Sequence, residues 1–327
     1  MTPDGFFSSP LAERFSAYVA LRRSVGYELR SQVYLLRQFD QIVAQEMPVP
    51  GPITREVVAA YLRSLSHLQA TTRRVRLCML RQFLLFLRQF EPATYIPDRM
   101  DDPGHASPRS PYILSETQIA AIIQAAYDYP QRYRVRQWLL YPTLFGLLYV
   151  TGMRISEALG LKLPDVDLRN AVIRVRKTKF HKDRLIPLRD STCVVLRRYL
   201  EARAECGYST AAEAFLFVNE KGRRLPYTNV RTAFRKTVTR AGIEHRTDGK
   251  PWLHDLRHSA AVRRLYLWYR EGKNVQALLP ALVTYLGHSS VASTTIYLTT
   301  TAELLGEASA RFERAFDQDP DGNQGGP

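Results

Sequence analysis

Cysteine is scarce in this sequence. Cys78, Cys193 and Cys206 are too few and too widely spaced for a disulfide framework or a thiolate zinc cluster. A long apolar run is also missing, because the most apolar stretch, 138–150, is shorter than a membrane span and contains Pro142. The first residues do not combine a charged segment, an apolar run and a cleavage site. We therefore expect no signal peptide, no contact with a membrane, and a cytoplasmic protein.

Acidic residues are in deficit. Aspartate and glutamate total 31 against 46 lysines and arginines, which gives the 327-residue chain a formal net charge of +15. Apolar residues make up 45% of the chain, enough to build sizeable cores and to exclude disorder over most of its length. A folded protein this basic favours a polyanionic partner, and nucleic acid is the first candidate. The alternative is that basicity only aids solubility.

Proline and glycine divide the chain. We predict a helical unit over residues 1–96, a linker over 97–111, a larger unit over 112–316 and a disordered tail over 317–327. Apolar residues at helical spacing predict four helices in the first unit, over residues 11–24, 31–45, 53–65 and 71–90.

The fourth predicted helix carries a basic stripe. Arg74, Arg81 and Arg88 recur every seven residues, so they share a face that differs from the apolar one. Such a stripe is suited to contact a phosphate backbone, and an ordinary solvated face is the equal alternative. Thr71 or Thr72 is the expected N-cap of this helix.

The larger unit combines many helices with few strands. It opens with Ser115 and Gln118 at the spacing of a capping box. Short strands near 172–175 and 185–188 are joined by a basic loop, which predicts a hairpin. The sequence therefore predicts a mainly α fold with a small antiparallel β-sheet, an α+β catalytic domain preceded by a helical domain.

Two arginine-containing islands suit chemistry on an anion. In Thr151-Gly-Met-Arg-Ile-Ser-Glu157, Arg154 follows a glycine break at the head of a helix, where the helix N-terminus adds positive charge. In His254-Asp-Leu-Arg-His258, His254 and Arg257 are three residues apart and share a helical face. The two histidines of the second island also have the spacing of a metal pair, but no third ligand is evident. We expect no metal.

Two further islands supply other side chains. Lysine is rare, since none precedes Lys162, yet Lys177, Lys179 and Lys182 fall within six residues on the predicted hairpin. A lysine there is suited to reach a phosphate or a leaving oxygen. The last island is Leu286-Gly-His-Ser-Ser290, with His288, and Tyr297 follows nine residues after that histidine.

In their order and in their amino-acid sequences, these islands resemble those of the tyrosine site-specific recombinases, the phage integrase family. The first island resembles the first arginine box of the family, His254–His258 its second box, and Leu286–His288 with Tyr297 its third. The resemblance covers residues 114–316. The stretch between His258 and His288 is longer than in compact members and is similar to that of members encoded on transposon-like elements.

The resemblance implies a site-specific DNA recombinase that cuts and rejoins DNA through a 3′-phosphotyrosyl intermediate. It implies Arg154 and Arg257 as ligands of the nonbridging phosphate oxygens and Tyr297 as nucleophile. It further implies His254 as general base and Lys179 as general acid. No cofactor and no ATP are implied.

Supporting residues follow from the same resemblance. His288 is expected to hydrogen-bond the phosphate, and Lys177 is the alternative acid. Glu157 and Asp165 are implied to support the site, with ordinary solvated carboxylates as the alternative. The DNA-binding candidates outside the catalytic set are Arg74, Arg81, Arg88, Lys177 and Lys182.

The implied partner is double-stranded DNA with inverted half-sites. It is bound by a homo-oligomer, a tetramer in the synapse, or by this chain together with sister recombinases. A helix over about 301–316 is expected to dock on a neighbouring protomer or on its own domain. The alternatives to a recombinase are a non-catalytic sequence-specific DNA-binding protein and a topoisomerase-like enzyme. Integration, excision, transposition and dimer resolution stay open.

Overall fold

The structure is a computed structural model, and its chain divides by internal contacts into two units, Met1–Pro108 and Arg109–Pro327. The residues that it describes are 6–27, 29–98, 110–129, 137–176, 183–243 and 249–287. Within these residues, no helix is both long and apolar enough to cross a membrane. The predicted boundaries at 96, 111 and 316 stay predictions.

The described residues of the first unit form four helices, where four are predicted. They are α1 (Ala12–Ser24), α2 (Arg30–Glu46), α3 (Arg55–Ser64) and α4 (Ala70–Leu87). Their apolar faces meet in one core, in which Phe15 stacks on Phe83 with ring centroids 4.2 Å apart. The predicted cap of α4 is wrong, because the helix begins at Ala70 and Gln69 occupies the N-cap.

The three arginines of the basic stripe on α4 differ in solvent exposure. Leu80, Phe83, Leu84 and Leu87 are buried in the core of the unit, which leaves the arginines on another face. Arg74 and Arg88 are exposed, and Arg81 is half-buried. Arg88 also lies one residue past the end of the helix.

The second unit contains most of the helices and the sheet. Its first helices are α5 (Glu116–Tyr127), α6 (Leu140–Thr151) and α7 (Ile155–Ala158), followed by α8 (Asp190–Glu205) and α9 (Tyr227–Arg240), and then by α10 (Asp255–Arg270) and α11 (Val275–Leu286). The predicted capping box is confirmed at α5, where Ser115 Oγ accepts from Gln118 N and Gln118 Oε1 accepts from Ser115 N. Most residues of α6 are buried, as expected for a helix that is apolar nearly all round.

The sheet has three antiparallel strands in the order β1 (Val166–Asp167), β2 (Val172–Val175) and β3 (Arg184–Pro187). In the β2–β3 pair, Ile173 lies opposite Ile186, and both are fully buried. Arg184 lies opposite Val175 at the end of the pair from which residues 177–182 depart. The predicted fold class, mainly α with a small antiparallel sheet, is therefore confirmed in the residues described.

Candidate active site

Arg154 stands at a sharp break between two helices. Helix α6 ends at Thr151 and is capped by Gly152, whose φ of 60° lies in the left-handed region. A Cβ on Gly152 would lie 2.8 Å from Leu286 Cδ2, so glycine also permits a close approach of α11. The chain then restarts as α7 with Arg154 at the N-cap position, which confirms its predicted place at the head of a helix.

The Arg154 guanidinium contacts two other parts of the site. Its Nη1 donates to Glu157 Oε1 at 3.0 Å, and its Nη2 donates to the carbonyl oxygen of Gly287. The backbone N–H of Arg154 donates to Glu157 Oε2 at 2.8 Å. Its side chain is 26% exposed. Since a guanidinium carries five N–H donors, Arg154 can keep these bonds and still offer donors to an anion.

Arg257 is a buried side chain of α10 that bonds to the C-terminal ends of α6 and α11. It is 2% exposed, one of the most deeply buried large side chains described. Its Nη1 donates to Gly152 O and its Nη2 to Leu286 O, each at 2.7 Å. These carbonyls lie at the C-terminal ends of α6 and α11, where helices leave acceptors unpaired and favour a cation. Arg257 therefore fixes the C-terminal ends of α6 and α11 against α10.

The helix that carries Arg257 is anchored at its first turn. Asp255 Oδ2 accepts a hydrogen bond from Trp252 N at 2.7 Å, and Asp255 Oδ1 accepts from Tyr112 N at 3.3 Å. Ser259 Oγ accepts from Leu114 N at 2.8 Å. The Asp255 carboxylate is thus engaged with backbone N–H groups, and the start of α10 is held against the segment that precedes α5.

His254 lies at the N-cap of α10, close to His258, Arg257 and Arg154. Its ring meets that of His258 edge-to-face, with centroids 4.6 Å apart. The residue as a whole is solvent-exposed. Even so, partial desolvation and the nearby His258, Arg257 and Arg154 lower its pKa to about 4, against an opposing effect of Asp255. The imidazole is therefore neutral at pH 7, the state that a general base requires.

Two carboxylates of the second unit are buried, so the alternative of ordinary solvated groups is wrong for both. The Glu157 side chain is 8% exposed and the Asp165 side chain 4%. Asp165 pairs with Arg176 and accepts a hydrogen bond from Lys162 N at 2.9 Å, which fixes the start of the sheet. Glu157 contacts Arg154 directly and therefore belongs to the candidate site.

Sequence reasoning missed one arginine of this cluster. Arg184 Nη1 donates to Glu157 Oε1 at 3.0 Å, and Arg184 Nη2 donates to Glu157 Oε2 at 2.7 Å. The signal available in the sequence was the place of Arg184 at the end of the basic loop that joins the two predicted strands. The sequence of this loop does not show which of its basic residues turns towards α7.

The structure brings together Arg154, His254 and Arg257 of the predicted catalytic residues. The other predicted site residues, Lys177, Lys179, Lys182, His288 and Tyr297, lie outside the described residues, as does the predicted helix over 301–316. The described chain reaches Gly287, directly before His288, and this residue is bonded to Arg154. In the described part of the chain, no group of three or more His, Cys, Asp or Glu side chains is arranged to hold a metal ion.

Comparison with known proteins agrees with the resemblance that the sequence islands indicate. The family model described as "Phage integrase family" matches residues 113–303. A putative integrase/recombinase of Sinorhizobium fredii, y4rB, is 37% identical over 314 residues, which cover 94% of this chain and 99% of that protein.

Two solved structures show the same fold at low identity. The Tn1549 transposon integrase in complex with transposon right end DNA has a TM-score of 0.64 at 19% identity, covering 92% of this chain and 98% of that one. A lambda integrase tetramer bound to a Holliday junction has a TM-score of 0.60 at 16% identity, covering 88% and 80%. With the family match spanning more than half of its length, the chain belongs to the phage integrase family, the tyrosine-type DNA recombinases.

Proposed function

We propose that this recombinase cuts and rejoins duplex DNA by two transesterifications at a pocket built around Arg154, His254 and Arg257. The observation that carries the proposal is the bonding of both arginines to residues 286–287. Arg257 holds Leu286 O, and Arg154 holds Gly287 O. Leu286 and Gly287 are the last two residues before His288 in the chain. Two guanidinium groups therefore contact the start of the segment that leads to Tyr297.

In the cleavage step, the phenolic oxygen of Tyr297 attacks the scissile phosphorus, and the bond from phosphorus to the 5′-oxygen breaks. The phenolic proton passes to the neutral imidazole of His254, and the leaving 5′-oxygen takes a proton from the Lys179 ammonium group. Rejoining reverses these steps with another 5′-hydroxyl. The phosphotyrosyl bond conserves the energy of the phosphodiester, so no external fuel is needed.

Arginine suits the charge that develops in this step. The pentacoordinate state carries more negative charge than the diester, and arginine stays cationic at any working pH. Arg154, the more exposed of the two, is proposed to bind the nonbridging oxygens first. Arg257 supports it from beneath, and His288 adds a hydrogen bond. A bound phosphate anion beside His254 raises the pKa of the imidazole again, which makes it a stronger base when substrate is present.

The proposed partner is DNA with inverted half-sites, bound by pairs of protomers that assemble as a tetramer in the cytoplasm. The lambda integrase tetramer supports this assembly. A groove of about 670 Å³ in the second unit is lined by apolar side chains such as Leu267 and Trp268, together with Arg263 and Arg264. Apolar and acidic residues at helical spacing in 301–316 make that segment of a neighbouring protomer the proposed occupant.

The proposal is tested with Tyr297→Phe. DNA selected from a random duplex library by binding to the full chain is nicked near the candidate cleavage site, so that cleavage traps the covalent adduct. The wild-type chain and Tyr227→Phe, which alters an exposed tyrosine of α9, are expected to form the adduct, whereas Tyr297→Phe forms none.

Two results would redirect the proposal. An adduct with Tyr297→Phe identifies another nucleophile. Absence of any adduct with the wild-type chain favours a DNA-binding protein without catalysis. Relaxation of a supercoiled plasmid that lacks the selected site would favour the topoisomerase alternative.

A further inference from the structure

Arg184 forms a two-pronged ion pair with Glu157. Both of its terminal nitrogens donate to the two carboxylate oxygens, at 3.0 and 2.7 Å. The side chains are only 11% and 8% exposed. Parallel hydrogen bonds between a guanidinium and a carboxylate fix direction as well as distance, and here they join β3 to α7.

The same carboxylate orients Arg154. Glu157 Oε1 accepts from Arg154 Nη1 at 3.0 Å, and Glu157 Oε2 accepts from Arg154 N at 2.8 Å. Glu157 is therefore a shared acceptor between two guanidinium groups. Burial raises its pKa, but the bonds and charge of Arg184 together with the bonds from Arg154 outweigh burial, and the net pKa is lowered. Without Arg184, the carboxylate would lose the partner that contributes most to keeping it charged.

The two guanidinium groups also converge on the backbone before His288. A Cβ built on Gly287 would lie 2.9 Å from Arg184 Nη1 and 3.3 Å from Arg154 Nη1. Two cations this close repel each other, and the Glu157 carboxylate paired with both offsets that repulsion. The position of Arg154 next to Gly287 thus depends on Glu157, and the position of Glu157 depends on Arg184.

We infer that Arg184 is a positioning residue for DNA cleavage, which acts through Glu157 to orient the Arg154 guanidinium towards the scissile phosphate. The inference rests on the proposed function. Arg184 also begins the strand that follows residues 177–182. Its ion pair therefore fastens the start of β3 to α7, the helix at whose N-cap Arg154 lies.

The experiment compares Arg184→Gln, Arg184→Lys, Glu157→Gln and the double variant Glu157→Gln/Arg184→Gln. The matched control is Arg174→Gln, which removes the same charge from an exposed position on the neighbouring strand. The cleavage rate constant is measured in single turnover at saturating DNA, and DNA affinity separately. Arg184→Gln is expected to slow cleavage about 10- to 100-fold, since misplacement of a catalytic group by about 1 Å has that effect. Its affinity is expected to stay within about threefold of the control.

Two readouts separate positioning from a purely structural role. If Arg184 acts through Glu157, the double variant cleaves no more than about threefold more slowly than Glu157→Gln, because both substitutions remove the same interaction. A methylphosphonate at the scissile position lacks one negative charge, so cleavage of that DNA depends less on Arg154. The defect of Arg184→Gln should therefore shrink on methylphosphonate DNA, as that of Arg154→Gln does. Arg184→Lys keeps the charge but not the paired donors, and should retain an intermediate rate.

The inference is overturned if folded Arg184→Gln cleaves within twofold of Arg174→Gln. It is also overturned if the single losses multiply in the double variant, or if the defect is the same on methylphosphonate DNA. Should Arg184→Gln not fold, a wild-type rate for Arg184→Lys together with a wild-type rate for Glu157→Gln would overturn it. Failure of the proposed function is a different result, the absence of a Tyr297-dependent adduct with the wild-type chain.

Discussion

Arg257 Nη2 donates a 2.7 Å hydrogen bond to the carbonyl oxygen of Leu286, 29 residues further along the chain. The bond joins the first turn of α10 to the last residue of α11. With the second bond, to Gly152 O, it makes a proposed phosphate ligand into a structural link between three segments. A side chain that is proposed to act in catalysis therefore also holds the fold of the second unit together.

Replacement of Arg257 is expected to destabilise the protein as well as to inactivate it. Arg257→Gln leaves two buried carbonyls short of a charged donor, which lowers the free energy of unfolding by about 3 kcal/mol. Urea unfolding measures this loss. The control is Arg263→Gln on the same helix, whose partner Glu116 is 64% exposed, so a loss below about 1 kcal/mol is expected. Equal losses in the two variants would contradict the structural role of Arg257.

The His254 imidazole is expected to titrate far below an ordinary histidine. In the DNA-free protein its NMR signals should shift with a midpoint near pH 4, against 6.5 in the unfolded chain. Since the unfolded chain takes up that proton first, stability falls as the pH drops from 6.5 towards 4. His258→Gln removes a neighbouring cationic group and should raise the midpoint. A midpoint at or above 6.5 in the folded protein would contradict the expected environment.

Gly287→Ala is expected to impair cleavage beyond its effect on stability. Its φ of 68° strains any residue with a Cβ, and that Cβ would press on the guanidinium groups of Arg184 and Arg154. Gly207→Ala is the control, because its φ of 73° imposes similar strain but nothing lies within 4 Å of its Cβ. Both variants should lose about 1 kcal/mol of stability. Only Gly287→Ala should slow single-turnover cleavage, by about tenfold or more. Equal cleavage rates for the two variants would show that the contact with the guanidinium groups is unimportant.

The basic stripe of α4 predicts an unequal salt dependence. Arg74→Gln and Arg88→Gln should each reduce the slope of log affinity against log salt by about 0.9, the value for one lost phosphate contact. Arg81→Gln should change the slope less, because Arg81 is half-buried. Arg63→Gln, at an exposed position of α3, is the control. Slopes that match this control would assign the stripe to an ordinary solvated face.

Local signals predicted the fold well. The Ser115 capping box and the four helices of the first unit are as predicted, since caps and helical spacing are encoded within a few residues. Strand β1 was missed because two residues are too few to show alternation. The predicted cap of α4 was wrong because threonine is a preferred N-cap residue and glutamine is not, which favoured Thr71 or Thr72 over Gln69.

The residues of the candidate site could be predicted from the sequence, but the hydrogen bonds and ion pairs that join them could not. Arg154, His254 and Arg257 could be chosen from their islands, and the structure groups them. That Arg257 is buried under two helix ends depends on how α6 and α11 approach each other, which no local pattern encodes. The Arg184–Glu157 pair joins residues 27 positions apart, so only the folded chain shows it.

The hydrogen bonds from Tyr112 N and Leu114 N to Asp255 and Ser259 have a mechanical consequence. They tether the first residues after the predicted linker to the first turn of α10. Loss of these bonds is therefore expected to loosen the start of α10, where His254 and Arg257 lie.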